Sequence, residues 1–344
     1  KNCFLRCNQL HKVVFDFYAD KNKPFVNYLE KEETEEIEKR LKKKRNFKEK
    51  IISDGKVSET DDNISEMSQD LAKSYLLSQI DLKSIDVFAS NLNHFHFFNT
   101  PNLNVITISK SDNSKYHKVN GLLYTKDMKK LIVAERNIKE AVINSKCHVI
   151  TNYALNVKSL EKVVFEKNSE LHEISFFAFS ESNIKDIVIP DTVDLIDYCA
   201  FYKCKNLETL NIPISMHIVD FFTFSYTKIT KITIPKNIVK IKYGSFFRCE
   251  NLKTVIFEEH SNLFEIDDYA FSLTKIESIS IPSKVKRIGN CCFYNCHELK
   301  SIKFENDSNI SIIGFKCFEG TKIDEKQLNQ IIQTVYIENI KKNL

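Results

Sequence analysis

The chain has 344 residues, of which 42% are hydrophobic and 28% charged, with 26 phenylalanines, no tryptophan and a formal net charge of +4. Six glycines and six prolines exclude collagen-like and linker-like chains, and so small a charge excess gives no concentrated basic footprint for a nucleic acid. No stretch approaches the ~18 uninterrupted apolar residues of a membrane helix, so no membrane insertion is expected within this chain.

The first fifteen residues carry Cys3, Phe4, Cys7, Leu10, Val13 and Phe15, the spacing found later in Ala200, Phe201, Cys204, Leu207, Leu210 and Ile212. Residues 1–15 therefore read as a partial repeat whose opening would precede Lys1. The start lacks the charged-then-apolar layout of a secretion signal. Residues 16–91 read as a charged helical and flexible insertion. Tyr28 to Lys50 is dense in Glu, Lys and Arg, with Glu35–Lys39 and Glu38–Lys42 spaced as helical ion pairs. Within it, Lys42-Lys43-Lys44-Arg45 is better read as a solvated helix face than as a targeting or anion-binding patch. Ser53 to Ser68 is polar and loop-like, and Asp70 to Phe88 has the apolar spacing of an amphipathic helix through Leu71, Tyr75, Leu76, Ile80 and Ile85.

Repeat character returns at Leu92, with Phe97, Leu103, Ile106 and Ile108 following. From Ile150 the repetition is overt. An aliphatic anchor stands at Ile150, Ile174, Ile196, Val219, Ile241, Ile266, Ile288 and Ile313, at intervals of 22 to 25 residues. Four positions after each comes a small residue: Ala154, Ala178, Ala200, Thr223, Ser245, Ala270, Cys292 and Cys317. One position further comes Leu155, Phe179, Phe201, Phe224, Phe246, Phe271, Phe293 or Phe318. Such periodicity predicts a solenoid, whose coils stack because none can bury its apolar face alone. Each coil continues with an apolar triplet, as in Leu207, Leu210 and Ile212 or Ile229, Ile232 and Ile234. The last two members alternate with polar residues, as in a half-buried strand. Prolines at 190, 213, 235 and 282 end these strands. Stacked, they predict a parallel sheet on one side, with the anchor-to-aromatic segment returning on the other.

A longer period overlies the first. Three residues after the aromatic the chain alternates Ser182, Cys204, Thr227, Cys249, Thr274, Cys296 and Thr321, a doublet of about 45–47 residues. The solenoid is predicted over 92–323. The tail, 324–344, reads as a capping helix on the spacing of Leu328, Ile331, Ile332 and Val335.

Ile196-Asp-Tyr-Cys-Ala200-Phe201-Tyr-Lys-Cys204-Lys-Asn-Leu207-Glu-Thr-Leu210-Asn-Ile212-Pro213 resembles the repeat of the BspA-like leucine-rich repeat family at every fixed position. Val119 to Asp127, leading to Leu131-Ile132-Val133, resembles that family's hairpin variant. The resemblance implies a leucine-rich repeat solenoid, and proteins displayed on or secreted from cells that adhere to host-cell, matrix or microbial ligands.

No catalytic, cofactor-binding or metal site is predicted. Cys291, Cys292, Cys296 and His297 are the tightest cluster, but Cys292 and Cys296 fall in repeat slots, where free cysteine packs as a small hydrophobe. Spacing disfavours a disulfide ladder through Cys204, Cys249 and Cys296: two coils at about 4.8 Å each exceed the ~7 Å limit. A pairing within one coil, Cys199–Cys204, stays open. The thiols weakly favour a reducing compartment. His94 and His96 form no recognisable ligand set, and three glycosylation triplets begin at Asn63, Asn306 and Asn309. Glu258-Glu259-His260 is read as a solvated turn rather than a calcium site.

The positions between the buried triplets form an outward grid on an extended concave surface suited to protein ligands. Its candidate contact residues are Lys162, Lys185, Asp186, Glu208, Thr209, Asn211, Thr230, Lys231, Thr233, Lys253, Thr254, Glu277, Ser278, Lys300, Ser301 and Lys303. Lysine recurring with Thr and Ser suits a protein or an acidic glycan. The leading expectation is a non-enzymatic binding or adhesion protein with a protein or glycoprotein ligand. The alternative is an intracellular scaffold of the same fold with 16–91 as a partner-binding arm.

Overall fold

A phenylalanine that recurs once per coil leaves water only if the next coil's phenylalanine covers it. The computed structural model, which describes residues 84–87, 102–108 and 115–331, shows that covering in full. Phe179, Phe201, Phe224, Phe246, Phe271, Phe293 and Phe318 form one column, with successive ring centroids 5.0, 5.7, 5.5, 5.2, 5.7 and 5.8 Å apart and every pair stacked. The first six are fully buried; Phe318, in the last coil, is partly covered. Each stacked pair adds about 0.5–1.5 kcal/mol beyond the area it buries. The anchors and small residues pack beside the column, and one core runs unbroken from the hairpin to Ile331.

The described chain opens with strands β1 (Ser84–Val87) and β2 (Val105–Ile108), which pair in parallel. Residues 84–87 are thus strand, not the end of the helix expected over Asp70–Phe88. Four residues in full parallel register with β2 gain inter-strand hydrogen bonds that outweigh local helix spacing. Strands β3 (Tyr116–Val119), β4 (Leu122–Thr125) and β5 (Lys130–Ala134) form the expected antiparallel hairpin segment. Its tight turn uses Asn120 at φ 47° and Gly121 at φ 78°, as a two-residue turn between right-twisted strands requires. Leu122, Tyr124 and Leu131 face the main core, while Leu123, Ile132 and Val133 join Leu103, Ile106 and Tyr116 in a second cluster.

From there the coils run in parallel, and the anchors themselves are strands. β7 (Val149–Ile150), β9 (Glu173–Ile174) and β11 (Leu195–Ile196) extend the sheet of β3, β4 and β5. After a break, β13 (Ile218–Val219), β15 (Lys240–Ile241), β17 (Glu265–Ile266), β19 (Arg287–Ile288) and β21 (Ile312–Ile313) form a five-stranded sheet. The strands of the apolar triplets lie on the other side. They are β6 (Glu140–Ile143), β8 (Lys162–Phe165), β10 (Asp186–Ile187), β12 (Thr209–Leu210), β14 (Lys231–Ile234), β16 (Thr254–Phe257), β18 (Ser278–Ile281) and β20 (Ser301–Phe304). These pair only two by two, as β6–β8, β10–β12, β14–β16 and β18–β20. The grid side is therefore parallel, as expected, but divided into four ribbons.

The ribbons coincide with the sequence doublets, and the cysteines supply a reason. In each doublet the second coil's thiol donates to the first coil's phenylalanine carbonyl, at 3.1 Å for Cys204 to Phe179, Cys249 to Phe224 and Cys296 to Phe271. The same sulfur lies 3.4, 3.3 and 3.2 Å from the hydroxyl of Ser182, Thr227 and Thr274 in the first coil. Thr227 and Thr274 donate to that same phenylalanine carbonyl. A glutamate just after the longer strands adds a second tie. Glu166 accepts from the backbone N–H of Ser145, Glu258 from that of Lys236 and Glu305 from that of Ser283, each in the preceding coil. The turn at Glu258 is thus a backbone cap.

Two left-handed residues per coil complete the stacking. Tyr153, Phe177, Cys199, Phe222, Gly244, Tyr269, Cys291 and Lys316, three positions after each anchor, all have φ between 50° and 60°. Seven positions after, Glu181, Lys203, Tyr226, Arg248, Leu273 and Asn295 repeat the bend. Their N–H groups reach forward to the next coil, as in Glu181 to Tyr202, Lys203 to Ser225 and Arg248 to Ser272. Each such residue costs roughly 1–2 kcal/mol when it is not glycine, and the intercoil hydrogen bonds offset that cost.

Residues 325–331 are helical, with Asp324 Oδ1 accepting the N–H of Gln327 at 2.7 Å as an N-cap. Leu328 and Ile331 pack on the end of the core. The partial repeat at 1–15, the insertion up to residue 83, His94 and His96, and the tail beyond 331 lie outside the described residues.

All eight described cysteines are buried and none is in a disulfide, so Cys199 and Cys204 are not bridged. Burial pushes the thiols of Cys204 and Cys249 up to about 12. In the native protein no more than two of the ten cysteines, Cys3 and Cys7, should titrate promptly with a thiol-reactive chromophore, the rest only in denaturant; prompt reaction of three or more contradicts this packing. Phe246→Ala should lower unfolding free energy by about 3–5 kcal/mol, measured by denaturant titration, whereas Thr233→Ala on the exposed grid should change it little.

Candidate protein-binding face

Alternation along each triplet strand sends one side chain into the core and the next into solvent. In β14 Ile232 and Ile234 are buried while Lys231 and Thr233 are exposed, and β18 repeats this with Ile279 and Ile281 against Ser278 and Ser280. Fifteen of the sixteen predicted grid residues are exposed: Lys162, Lys185, Asp186, Glu208, Thr209, Thr230, Lys231, Thr233, Lys253, Thr254, Glu277, Ser278, Lys300, Ser301 and Lys303. Asn211 is half-buried. Its amide accepts from the N–H of Ile189 at 2.7 Å and donates to that residue's carbonyl at 2.8 Å. It thereby extends the short β10–β12 ladder, with one N–H and one lone pair of its amide engaged by the backbone of the preceding coil.

Stacking decides how the charges act. Glu161 follows Lys139 one coil on, with backbone contact at 2.8 Å and side chains 3.7 Å apart. Lys162 pairs with Glu140 at 2.7 Å, and Lys185 with Glu208 at 3.9 Å. The first half of the face is therefore self-neutralised. Beyond β12 it changes: Lys231, Lys253, Lys300 and Lys303 make no ion pair among the described residues, and Glu277 is the one acid among them on the grid. Lys139, Glu140 and Val142 also belong to this face, although they lie outside the predicted grid. Ile138, Ala141 and Ile143 carry the same spacing, with alanine in the middle slot.

Grooves open where adjacent ribbons are not hydrogen-bonded. A cleft of about 1120 Å³ lies at the β8–β10 boundary, lined by Lys162, Val164, Lys185, Asp186, Val188 and Glu208. A smaller one of about 430 Å³ lies at the β12–β14 boundary, by Glu208, Thr209, Thr230, Lys231 and Thr233. Val142, Val164 and Val188 form an exposed β-branched row beside the first. The grid is thus ridged, with apolar and neutralised charge at one end and unpaired lysine and hydroxyl at the other.

On the anchor side several charges pair between neighbouring coils. Arg287 reaches Glu265 at 2.7 Å, Asp267 at 2.8 Å and Asp268 at 2.6 Å, while Lys240 pairs with Glu265 at 2.8 Å and Lys242 with Asp220 at 2.9 Å. Among the described residues no group of three His, Cys, Asp or Glu side chains is placed to hold a metal ion. The cluster at Cys291 is accounted for by packing, and His297 Nδ1 sits 2.9 Å from the Gly320 carbonyl. Of the glycosylation triplets, Asn306 is exposed, Asn309 donates to the Ser283 carbonyl and Asn63 lies outside the described residues. No helix of the described residues is long and apolar enough to cross a membrane.

One carboxyl on the anchor side is out of balance. Burial, with the charges of Asp220 and Glu173 nearby, raises Asp197 from the usual carboxylate range to about 6; its bond from the Tyr198 N–H and the charge of Lys242 oppose this only in part. A carboxyl raised on folding contributes stability that is complete below its unfolded value near 4 and lost as pH rises through about 6. Asp197→Asn keeps the acceptor for Tyr198. It should therefore stabilise the protein at pH 7 by on the order of 1–2 kcal/mol, after discounting for partial solvent screening, and by almost nothing at pH 4. A difference independent of pH, in denaturant titrations at both values, would contradict that assignment.

Comparison with known proteins agrees with this architecture. The family model described as BspA type leucine-rich repeat region matches in six copies, over residues 126–223, 172–263 and 217–341. A leucine-rich repeat protein from Eubacterium ventriosum is similar in structure, with a TM-score of 0.55 and 23% identity over 71% of this chain and 60% of that one. A second, from Bacteroides ovatus, has a TM-score of 0.42 and 20% identity over 60% of this chain and 71% of that one. The first likeness is one of fold, and the chain spans 60% of that relative's length. No curated protein sequence matches. Coil length, aromatic column and sequence match agree, and the chain belongs to the BspA-type leucine-rich repeat family.

Proposed function

We propose that this protein is a non-enzymatic interaction scaffold, which holds a protein or glycoprotein ligand on the ridged strand face and works at the cell surface or outside the cell. The observation that carries the reading is the division of labour between the two sides. On the anchor side, Lys242 and Arg287 are engaged by carboxylates of the neighbouring coil. On the strand side, an exposed grid stands in register on a rigid core, with clefts between its ribbons. A rigid surface of this kind binds without ordering itself, which keeps the entropic cost of association low. Family membership supports interaction as its role, and the surface location rests on the family resemblance.

A second reading, an intracellular scaffold with residues 16–91 as a partner-binding arm, is favoured by one observation: none of the eight described cysteines is in a disulfide. Labelling intact cells with a membrane-impermeant amine reagent separates the two. Modification of this protein on intact cells is expected, and complete protection until lysis would eliminate the surface reading. For the face itself, Val164→Arg and Thr233→Arg place bulk on exposed positions in the two halves. Combined, they should cut binding to a captured cell-surface or matrix partner at least tenfold while leaving thermal unfolding unchanged. His217→Arg on the anchor side should leave binding within twofold. Equal loss from both sides would discard the strand face.

A further inference from the structure

Resting on that reading of the strand face, the geometry points to its second half, from β14 to β20, as a subsite for an extended acidic peptide whose carboxylates recur every third residue. Lys231, Lys253, Lys300 and Lys303 are exposed and make no ion pair among the described residues, in contrast to Lys139, Lys162 and Lys185 of the first half, each held by a neighbouring glutamate. Charge complementarity therefore selects an anion for this half and gives it no such preference for the first.

Spacing narrows the anion. Thr230, Lys253, Glu277 and Lys300 follow one another coil by coil, joined through backbone hydrogen bonds of 2.9, 3.4 and 3.0 Å. Lys253 and Lys300 are thus two coils apart, about 10 Å at ~4.8 Å per parallel strand. A polyproline II chain rises about 3.1 Å per residue with three residues per turn. Side chains at i and i+3 then lie on one edge about 9 Å apart, which matches the two lysines. Glu277 stands between them, so a uniformly charged polyanion would be repelled at the midpoint, whereas a chain with an uncharged gap there is not. Thr233 and Thr254 offer both donors and acceptors to a peptide backbone. Ile256, 39% exposed and in register with Thr233, suits an apolar side chain that a sulfated polysaccharide does not carry. All four cations are lysines; none is the planar arginine fork that best grips sulfate or phosphate.

The test uses the full chain and a fluorescein-labelled (Glu-Pro-Pro)5 peptide, with (Gln-Pro-Pro)5 and heparin as comparison ligands, read by fluorescence anisotropy. Saturable binding of the glutamate peptide is expected, weakening at least tenfold from low to physiological salt, with the glutamine peptide at least tenfold weaker. Combined Lys253→Gln and Lys300→Gln should reduce affinity at least tenfold, and Lys162→Gln with Lys185→Gln less than twofold. Both pairs are exposed, and unchanged thermal unfolding shows that each variant is folded. Glu277→Gln should relax the spacing preference, improving binding of a continuous polyglutamate more than that of the spaced peptide. Tighter binding of heparin than of the peptide, equal loss from both lysine pairs, or no peptide binding would each overturn the proposal. The captured partner's dependence on Val164→Arg and Thr233→Arg is read separately, so failure of the acidic subsite is distinguishable from failure of the face.

Discussion

Everything in this molecule depends on one phenylalanine per coil lying flat against the phenylalanine of the next. A single coil of 22 to 25 residues has one apolar side and nothing of its own to cover it. The column from Phe179 to Phe318 turns that deficit into a continuous core, because each ring is both covered and covering. The small residue just before each ring follows from the same constraint. At 154, 178, 200 and 270 it is alanine and fully buried, and in the other coils Thr223, Ser245, Cys292 and Cys317 take its place, so the slot never holds more than a threonine.

A second constraint makes the coil pair, rather than the coil, the structural unit. Within a doublet a thiol and a hydroxyl converge on one phenylalanine carbonyl, and a glutamate caps the neighbouring turn. The strand of the second coil then pairs with that of the first, through four residues in β14–β16 and β18–β20 and through two in β10–β12. The ladder is not continued into the next doublet, and clefts open at two of those boundaries. Buried cysteine here is a hydrogen-bond donor of compact size, and burial keeps it protonated.

Charge on such a surface is a matter of neighbours rather than totals. Side chains one coil apart stand close enough for opposite signs to cancel, as Lys139 and Glu161 or Lys162 and Glu140 do. A face with many lysines can therefore present no net field over half its length and a clear one over the rest. On the anchor side the same proximity is used inwardly, with Arg287 spanning three carboxylates across adjacent coils.

By itself the sequence determined the coil length, the inward register of Ile232, Phe246 and their counterparts, the doublet period and the outward grid, because hydrophobic period and burial are set by local spacing. It also marked the hairpin and the helical start of the tail. Tertiary structure alone decided that the anchors are strands, that the grid side is cut into ribbons, and that Asn211 is spent on the backbone of Ile189. The left-handed bends at Phe177, Cys199 and Tyr269 carry no glycine to announce them; only Gly244 and Gly320 hint at the pattern. Strand β1 at Ser84–Val87 was hidden for a related reason, since its partner lies far along the chain. Each of these features is fixed by hydrogen bonds and charges meeting between coils about 22 residues apart, and a partner at that separation cannot be read from the residues on either side of a position.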